Sequence, residues 1–470
     1  MPGPFFLAGT EPVPIDQQLG TSQDATPVVR GGTSSPSICV RWRTDHPPNG
    51  SIIPPKRRMA RALAATLMNR MCSTRLRSVQ LFSWTTSSMN ERLSGDELVA
   101  LVRRVFRPRA NEKALAILVD LPDKQVPDNE DWAARRAIAV DWAAELTAHE
   151  QELGLKTTLV LYRNAHTNNG DLPARCWIHH GGPLPTSADS LDASASTTFV
   201  DMFAVNPILL VPTQFSATAP LKIAAKTNPI RAATMAGFRQ DMVPALRLDY
   251  GEVNRRVNYL KQLLDRATGA DLQFVYPGGE AALHLDLRFR SAHASGGLLP
   301  DPGVAGNLPS GEAYIVPFEG ETEPSLSAGE LPVQFGDEIV RYRIVANKAV
   351  DVLTQGPASR IEAEHLAREP AYGNLAELGL GVLAAFGVKP IGKVLLDEKL
   401  GLHIAFGRSE HFGGQVGPAD FSSPEAVIHI DRVYVPETQP DVQVKRVDLV
   451  MEDGQALALM RDGQYVVDFV

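Results

Sequence analysis

From Met89 onward, apolar positions recur in two alternating patterns. SGDELVALVRRVF spaces them three and four apart, as a helix with one buried face requires, and Ser94 stands where an N-cap belongs. KALAILVDLP is a short unbroken apolar run, which predicts a strand buried on both faces of a parallel sheet. NEDWAARRAIAVDWAAELTAHEQEL predicts a long amphipathic helix and KTTLVLYRNA a second strand. STTFVDMFAVNPILLVPTQ predicts a helical turn and a third strand. This alternation predicts a doubly wound α/β domain. LDYGEVNRRVNYLKQLLDRATG reads as a helix, and DLQFVYPGGEAALHLDLRFR as a hairpin turning near Gly278 and Gly279. A Gly/Pro-rich crossing, GVAGNLPSGEAYIVPFEG, leads into a strand-rich second half. Its runs are QFGDEIVRYRIVAN, GKVLLDEKLGLHIAFG, EAVIHIDRVYVPE and KRVDLVMEDGQALALMRDGQYVVDF, interrupted by one long predicted helix, PASRIEAEHLAREPAYGNLAEL. The expected organisation is an α/β domain over 89–300 and a strand-rich α+β domain over 301–470.

Residues 1–88 lack any such period. They are rich in Pro, Gly, Ser and Thr and hold ten Lys/Arg against four Asp/Glu. That composition predicts a disordered extension, or one arising from a mis-assigned start. PPKRRMARALAATLMNRMCSTRLRSVQLFSW within it is Arg- and Ser-rich and acid-free, like an organellar transit peptide, although it begins deep in the chain.

Across 470 residues the formal charge is −8, which argues against a general nucleic-acid binder. No run of about 18 apolar residues occurs, so no membrane span is expected. The three cysteines, Cys39, Cys72 and Cys176, form no C-x-x-C pair and no disulfide framework. That pattern fits a reducing, cytoplasmic setting, and it leaves any metal to histidines and carboxylates.

Ionisable residues recur within apolar segments of the second half: Glu312 in PSGEAYIVP, Glu377 in NLAELGLG, Glu398 in LDEK, His403 in LHIAFG, and His429 with Asp431 in IHID. His429 and Asp431 are two apart on a predicted strand and so share a face. Taken singly, each has an ordinary structural reading: Glu398 beside Lys399 as a surface ion pair, Glu312 as a turn cap. Together, two imidazoles and four carboxylates suit one or two divalent cations. Carboxylates crowded without a cation raise one another's pKa.

At these residues the sequence resembles the thermophilic metalloaminopeptidases, the leucyl aminopeptidase and aminopeptidase T group. Their LPxGE turn, Glu before LGxG, DEK-like segment, HIALG histidine and terminal HxD read here as LPSGE, AELGLG, LDEKLGLHIAFG and HID, in the same order. The likeness runs from about Met89 to the end. It implies a two-metal aminopeptidase (zinc, cobalt or manganese), often homodimeric, that removes N-terminal residues from peptides. The implied ligands are Glu312, Glu377, Glu398, His403, His429 and Asp431. Glu377 or Asp431 would bridge, and Glu312 or Glu398 would be the general base.

One departure stands out. The family's Tyr, seven residues after the HIALG histidine, is replaced by Glu410, followed by His411. Either Glu410 or His411 takes that role, or the role is absent. The 2,5-dihydroxypyridine 5,6-dioxygenases are a more distant resemblance. They imply one iron(II) held by two His and one Asp, acting on a small aromatic molecule. The GVLAAF that follows ELGL here lacks that branch's histidine, whereas Glu398 and His403 are kept.

Other residues invite weaker readings. Thr213, Ser216 and Thr218 suit a substrate cleft or a helix cap. His179 with His180, and His284 with Asp286, offer metal-like pairs without a motif around them.

Overall fold

In the computed structural model, residues 92–423 and 426–469 are described. The expectations for residues 1–88 lie outside them. Ala114–Leu121, predicted as a doubly buried strand, is buried at every position. Side chains alternate across a strand, so its two faces enter different layers. Leu115, Ile117 and Val119 pack with Val99, Trp142 and Phe238. Ala116 and Leu118 pack with Phe199, Phe203 and Leu221. Helices therefore cover both faces, as a doubly wound sheet requires.

Around this strand a seven-stranded sheet runs in the order 304–307, 231–234, 208–211, 114–121, 156–163, 175–179, 197–198. The first five are parallel, 175–179 pairs antiparallel to 156–163, and 197–198 pairs antiparallel to 175–179. These last two strands escaped the sequence reading because they are short and only partly buried. Ser94 caps Gly95–Phe106 as expected: its hydroxyl accepts from the Glu97 amide, and Glu97 accepts from the Ser94 amide.

The hairpin Ala267–Tyr276/Gly279–Asp286 sits at the centre of an eight-stranded antiparallel sheet with strands from 328–352 and 443–465. The sheets thus exchange chain across residue 300: this hairpin joins later strands, and Val304–Asn307 joins the parallel sheet. A five-stranded antiparallel sheet completes the fold, in the order 429–433, 402–407, 375–381, 312–315, 293–295.

Two local expectations are corrected. The helix predicted to run through NLAEL ends at Arg368, and Leu375–Gly381 is a fully buried strand. Pro370 has no amide hydrogen to donate and pushes Glu369 out of helical geometry. The supposed strand through LLDEK is instead a single helical turn, Val394–Asp397, closed by the Asp397 carboxylate accepting from the Ile391 amide.

At the C-terminal end of the first strand Asp120 is buried. It accepts from the Gln214 and Phe215 amides and the Trp132 indole. Burial pushes its carboxyl up to about 6, and these hydrogen bonds with the nearby Arg135 charge recover only part of the shift. A folded pKa above the unfolded one gives stability that is complete below about pH 4 and lost as pH rises through 6. The stability difference between wild type and Asp120→Asn should shift towards wild type by up to about 3 kcal/mol between pH 7 and 4. Denaturant titrations across that range check this, and a pH-independent difference contradicts it.

Candidate metal centre

Five ionisable side chains converge because of strand register. Glu312 lies opposite Gly381 and Tyr314 opposite Gly379. Gly379 in turn faces His403, and Glu377 faces Ala405. Asp431 faces Ala405 and His429 faces Gly407. Directly opposed residues project on the same side of a sheet. Glu312, Glu377, His403, His429 and Asp431 therefore share one face of the five-stranded sheet. Gly379, Gly381, Ala405 and Gly407 keep the space between them open. The space is needed: a Cβ at Gly379 would lie 1.8 Å from His403 Nε2.

The side chains form two groups, each compact enough to hold one cation: Glu312, Glu377 and His403, and Glu377, His429 and Asp431. Glu377 belongs to both. Its Oε1 is 3.2 Å from His403 Nε2 and its Oε2 is 3.3 Å from His429 Nε2. His403 Nε2 lies 3.5 Å from Glu312 Oε2, and His429 Nε2 lies 3.7 Å from Asp431 Oδ1. Backbone carbonyls fix both rings: His403 Nδ1 contacts Gly401 O at 3.3 Å, and His429 Nδ1 contacts Arg408 O at 2.8 Å. A proton on each Nδ1 would leave Nε2 available to a cation, the tautomer a metal-binding imidazole uses. Glu312 Oε2 is buried without a hydrogen-bond partner. An orphaned anionic oxygen inside a ring of nitrogen and oxygen donors fits a divalent cation.

No family model matches the sequence, and no curated protein matches it. Among solved structures the chain is similar to the 2,5-dihydroxypyridine dioxygenase from Pseudomonas putida, with 16% identity, a TM-score of 0.49, and 80% of this chain and 99% of that chain covered. It is also similar to wild-type AmpT from Thermus thermophilus, with 16% identity, a TM-score of 0.44, and again 80% and 99% covered. Neither likeness bears on the chemistry of the site.

Glu398 belongs to neither group. It pairs with Lys399, which also binds Glu312 Oε1 at 2.5 Å. The alternative reading of Glu398 and Lys399 as a surface ion pair does not hold, since Lys399 is fully buried. Burial works against this ammonium, yet Glu312 and Glu398 hold its pKa well above the ordinary lysine range. Burial raises the Glu398 carboxyl to about 8; Lys399 opposes the shift, and Glu312 and Asp431 add to it. Lys399 thus stays charged between the two carboxylates. Burial also works against ionised Glu377, but hydrogen bonds from His403 and His429 bring it down to about 2. Against the same burial penalty, Glu377 and its acidic neighbours raise His403 to about 9, and Asp431 and Glu377 hold His429 well above its ordinary value. In the metal-free protein, protonated imidazoles balance the carboxylates.

The two residues at the position of the family Tyr part company. Both guanidinium arms of Arg408 bind Glu410 at 2.6 Å, so that carboxylate is already engaged. The His411 ring lies edge-on to His429, with centroids 5.4 Å apart. Burial, and then the like charges of His429 and Arg408, push it down to about 4, so it is neutral. Buried Glu319 braces this loop by accepting from Ser409 Oγ at 2.5 Å, Asn374 Nδ2 at 2.6 Å and the Gln415 amide.

The remaining candidates lie in other surroundings. Thr218 bonds Thr234 and Asn307, Ser216 bonds Asn169, and the Thr213 hydroxyl donates to Phe215 O. The Ser216 hydroxyl accepts from the Thr218 amide at 3.4 Å, but the N-cap of Thr218–Ala225 is Ala217 and no side chain caps that helix. His179 contacts Gly182 O, His284 pairs with Asp271, and Asp286 is buried against Arg288.

Proposed function

We propose that the chain is a metal-dependent aminopeptidase. The observation that carries this reading is the sharing of Glu377 between two ligand groups. Glu312 and His403 would hold one cation, His429 and Asp431 the other, with Glu377 between them. Such a pair of divalent cations, when bound, polarises a carbonyl and makes hydroxide available near neutral pH. Glu398, outside both groups but on the same buried network, is placed to take and return a proton. Lys399 keeps Glu398 and Glu312 close together. Preference for a peptide's N-terminus rests on the motif resemblance, with one of these carboxylates meeting the free amine.

A ring-cleaving dioxygenase asks for two imidazoles and one carboxylate around one iron. Each group here offers one imidazole and two carboxylates, which supports the hydrolase. The deciding experiment pairs elemental analysis of protein purified without chelator with hydrolysis of leucine p-nitroanilide. The assay is run with cobalt, zinc or manganese, with and without oxygen. Nearly two ions per chain and oxygen-independent release of the amine are expected. One iron per chain and no hydrolysis would overturn the reading.

A further inference from the structure

Tyr314 is absent from both ligand groups, yet it shares their space. It lies two residues after Glu312 on the same strand and therefore on the same face. Its ring is held between His293, stacked at 5.1 Å, and Phe412, tilted at 4.8 Å. His293 Nε2 meets Phe412 O at 2.9 Å, which ties the two walls of this slot together. Only 8% of Tyr314 is exposed, but its hydroxyl forms no hydrogen bond with any described residue. That donor is available to a ligand. The phenolic hydroxyl is a donor on a face lined with carboxylates, two residues along the strand from Glu312 and opposite Gly379.

We propose that Tyr314 donates a hydrogen bond from its hydroxyl to the oxygen that a substrate or tetrahedral oxyanion presents at this centre. The site is otherwise made of carboxylates and imidazoles engaged with one another. Lys399, the buried cation, is consumed by Glu312 and Glu398. Tyr314 is a neutral donor with capacity on this face, and the His293–Phe412 slot fixes its direction before the ligand arrives.

The inference rests on the hydrolytic reading for its substrate but not for its test. Tyr314→Phe keeps the ring and its packing. Metal content is measured first and should match wild type. Calorimetry with inorganic phosphate, a tetrahedral oxyanion, then reads the hydroxyl directly in zinc-loaded protein. Loss of one neutral donor should weaken phosphate roughly three- to tenfold. For a cleaved peptide, kcat should fall about a hundredfold with KM little changed. Equal phosphate affinity with full metal content overturns the role of Tyr314. The two failures separate: if phosphate binding depends on Tyr314 but no peptide is cleaved, the peptidase reading falls and this one stands. Peptide cleavage and phosphate binding that are both indifferent to Tyr314→Phe remove this inference and leave the peptidase.

Discussion

Glu377→Gln should lose both cations together. The carboxylate lies between His403 and His429 at 3.2 and 3.3 Å, and it is the member common to the two ligand groups. An amide has one neutral oxygen, so it cannot serve two cations, and its NH2 would point a donor at one imidazole. Changes outside the ligand set commonly cost 10–100-fold in metal affinity, so removing a shared ligand should exceed about a hundredfold at each site. Hydrolysis should fall to background. The control is Asp431→Asn, which touches one group alone and should leave close to one ion per chain. Metal content after gel filtration, with circular dichroism to confirm folding, decides the matter. Retention of two ions in the Gln variant would show that Glu377 is not shared.

Lys399→Met should be the most destabilising change in the centre. Its ammonium is fully buried and is the shared partner of Glu312 and Glu398. Removing one member of a buried ion pair leaves an uncompensated charge and costs about 3–5 kcal/mol. The remaining carboxylates can respond by taking up a proton between them, which softens the loss at acid pH and worsens it as pH rises. Divalent cations should narrow the gap, because they restore positive charge beside Glu312. The denaturant midpoint of metal-free wild type and variant, repeated with zinc, measures both effects. A variant as stable as wild type at pH 8 without metal would show that the ammonium carries no such burden.

Much of the parallel-sheet half was legible because its signals are local. Ala114–Leu121 announces itself as an unbroken apolar run, and Ser94 with Glu97 spells out a capping box. His429 and Asp431 were placed on one face by their spacing alone, since two residues are one strand repeat. The residues around them were harder. Glu377 was noticed by its motif but assigned to the end of a helix, because nothing in NLAEL distinguishes a helix tail from a buried strand except Pro370 upstream. Lys399 looked like a surface residue because a charge next to a charge usually is one. Its burial depends on Glu312, 87 positions away. Tyr314 carries no motif, and its meaning arises only when the strands around it fall into register. The choice between Glu410 and His411 was likewise closed to the sequence, since it turns on Arg408 engaging the first.

That register has a consequence for how the protein matures. Every ligand sits at alternate positions on strands whose pairing could in principle slide by one residue, and a slip of one would turn that strand's ligands to the opposite side of the sheet. A chain caught with the Glu377 strand mispaired would still be extended and apolar, yet it would present Ala376 and Leu378 where Glu377 belongs. With cations bound as proposed, their capture would be a proofreading readout. A pulse of metal during refolding should be retained only by molecules whose five-stranded sheet has already closed correctly, so the time course of retention would time that closure.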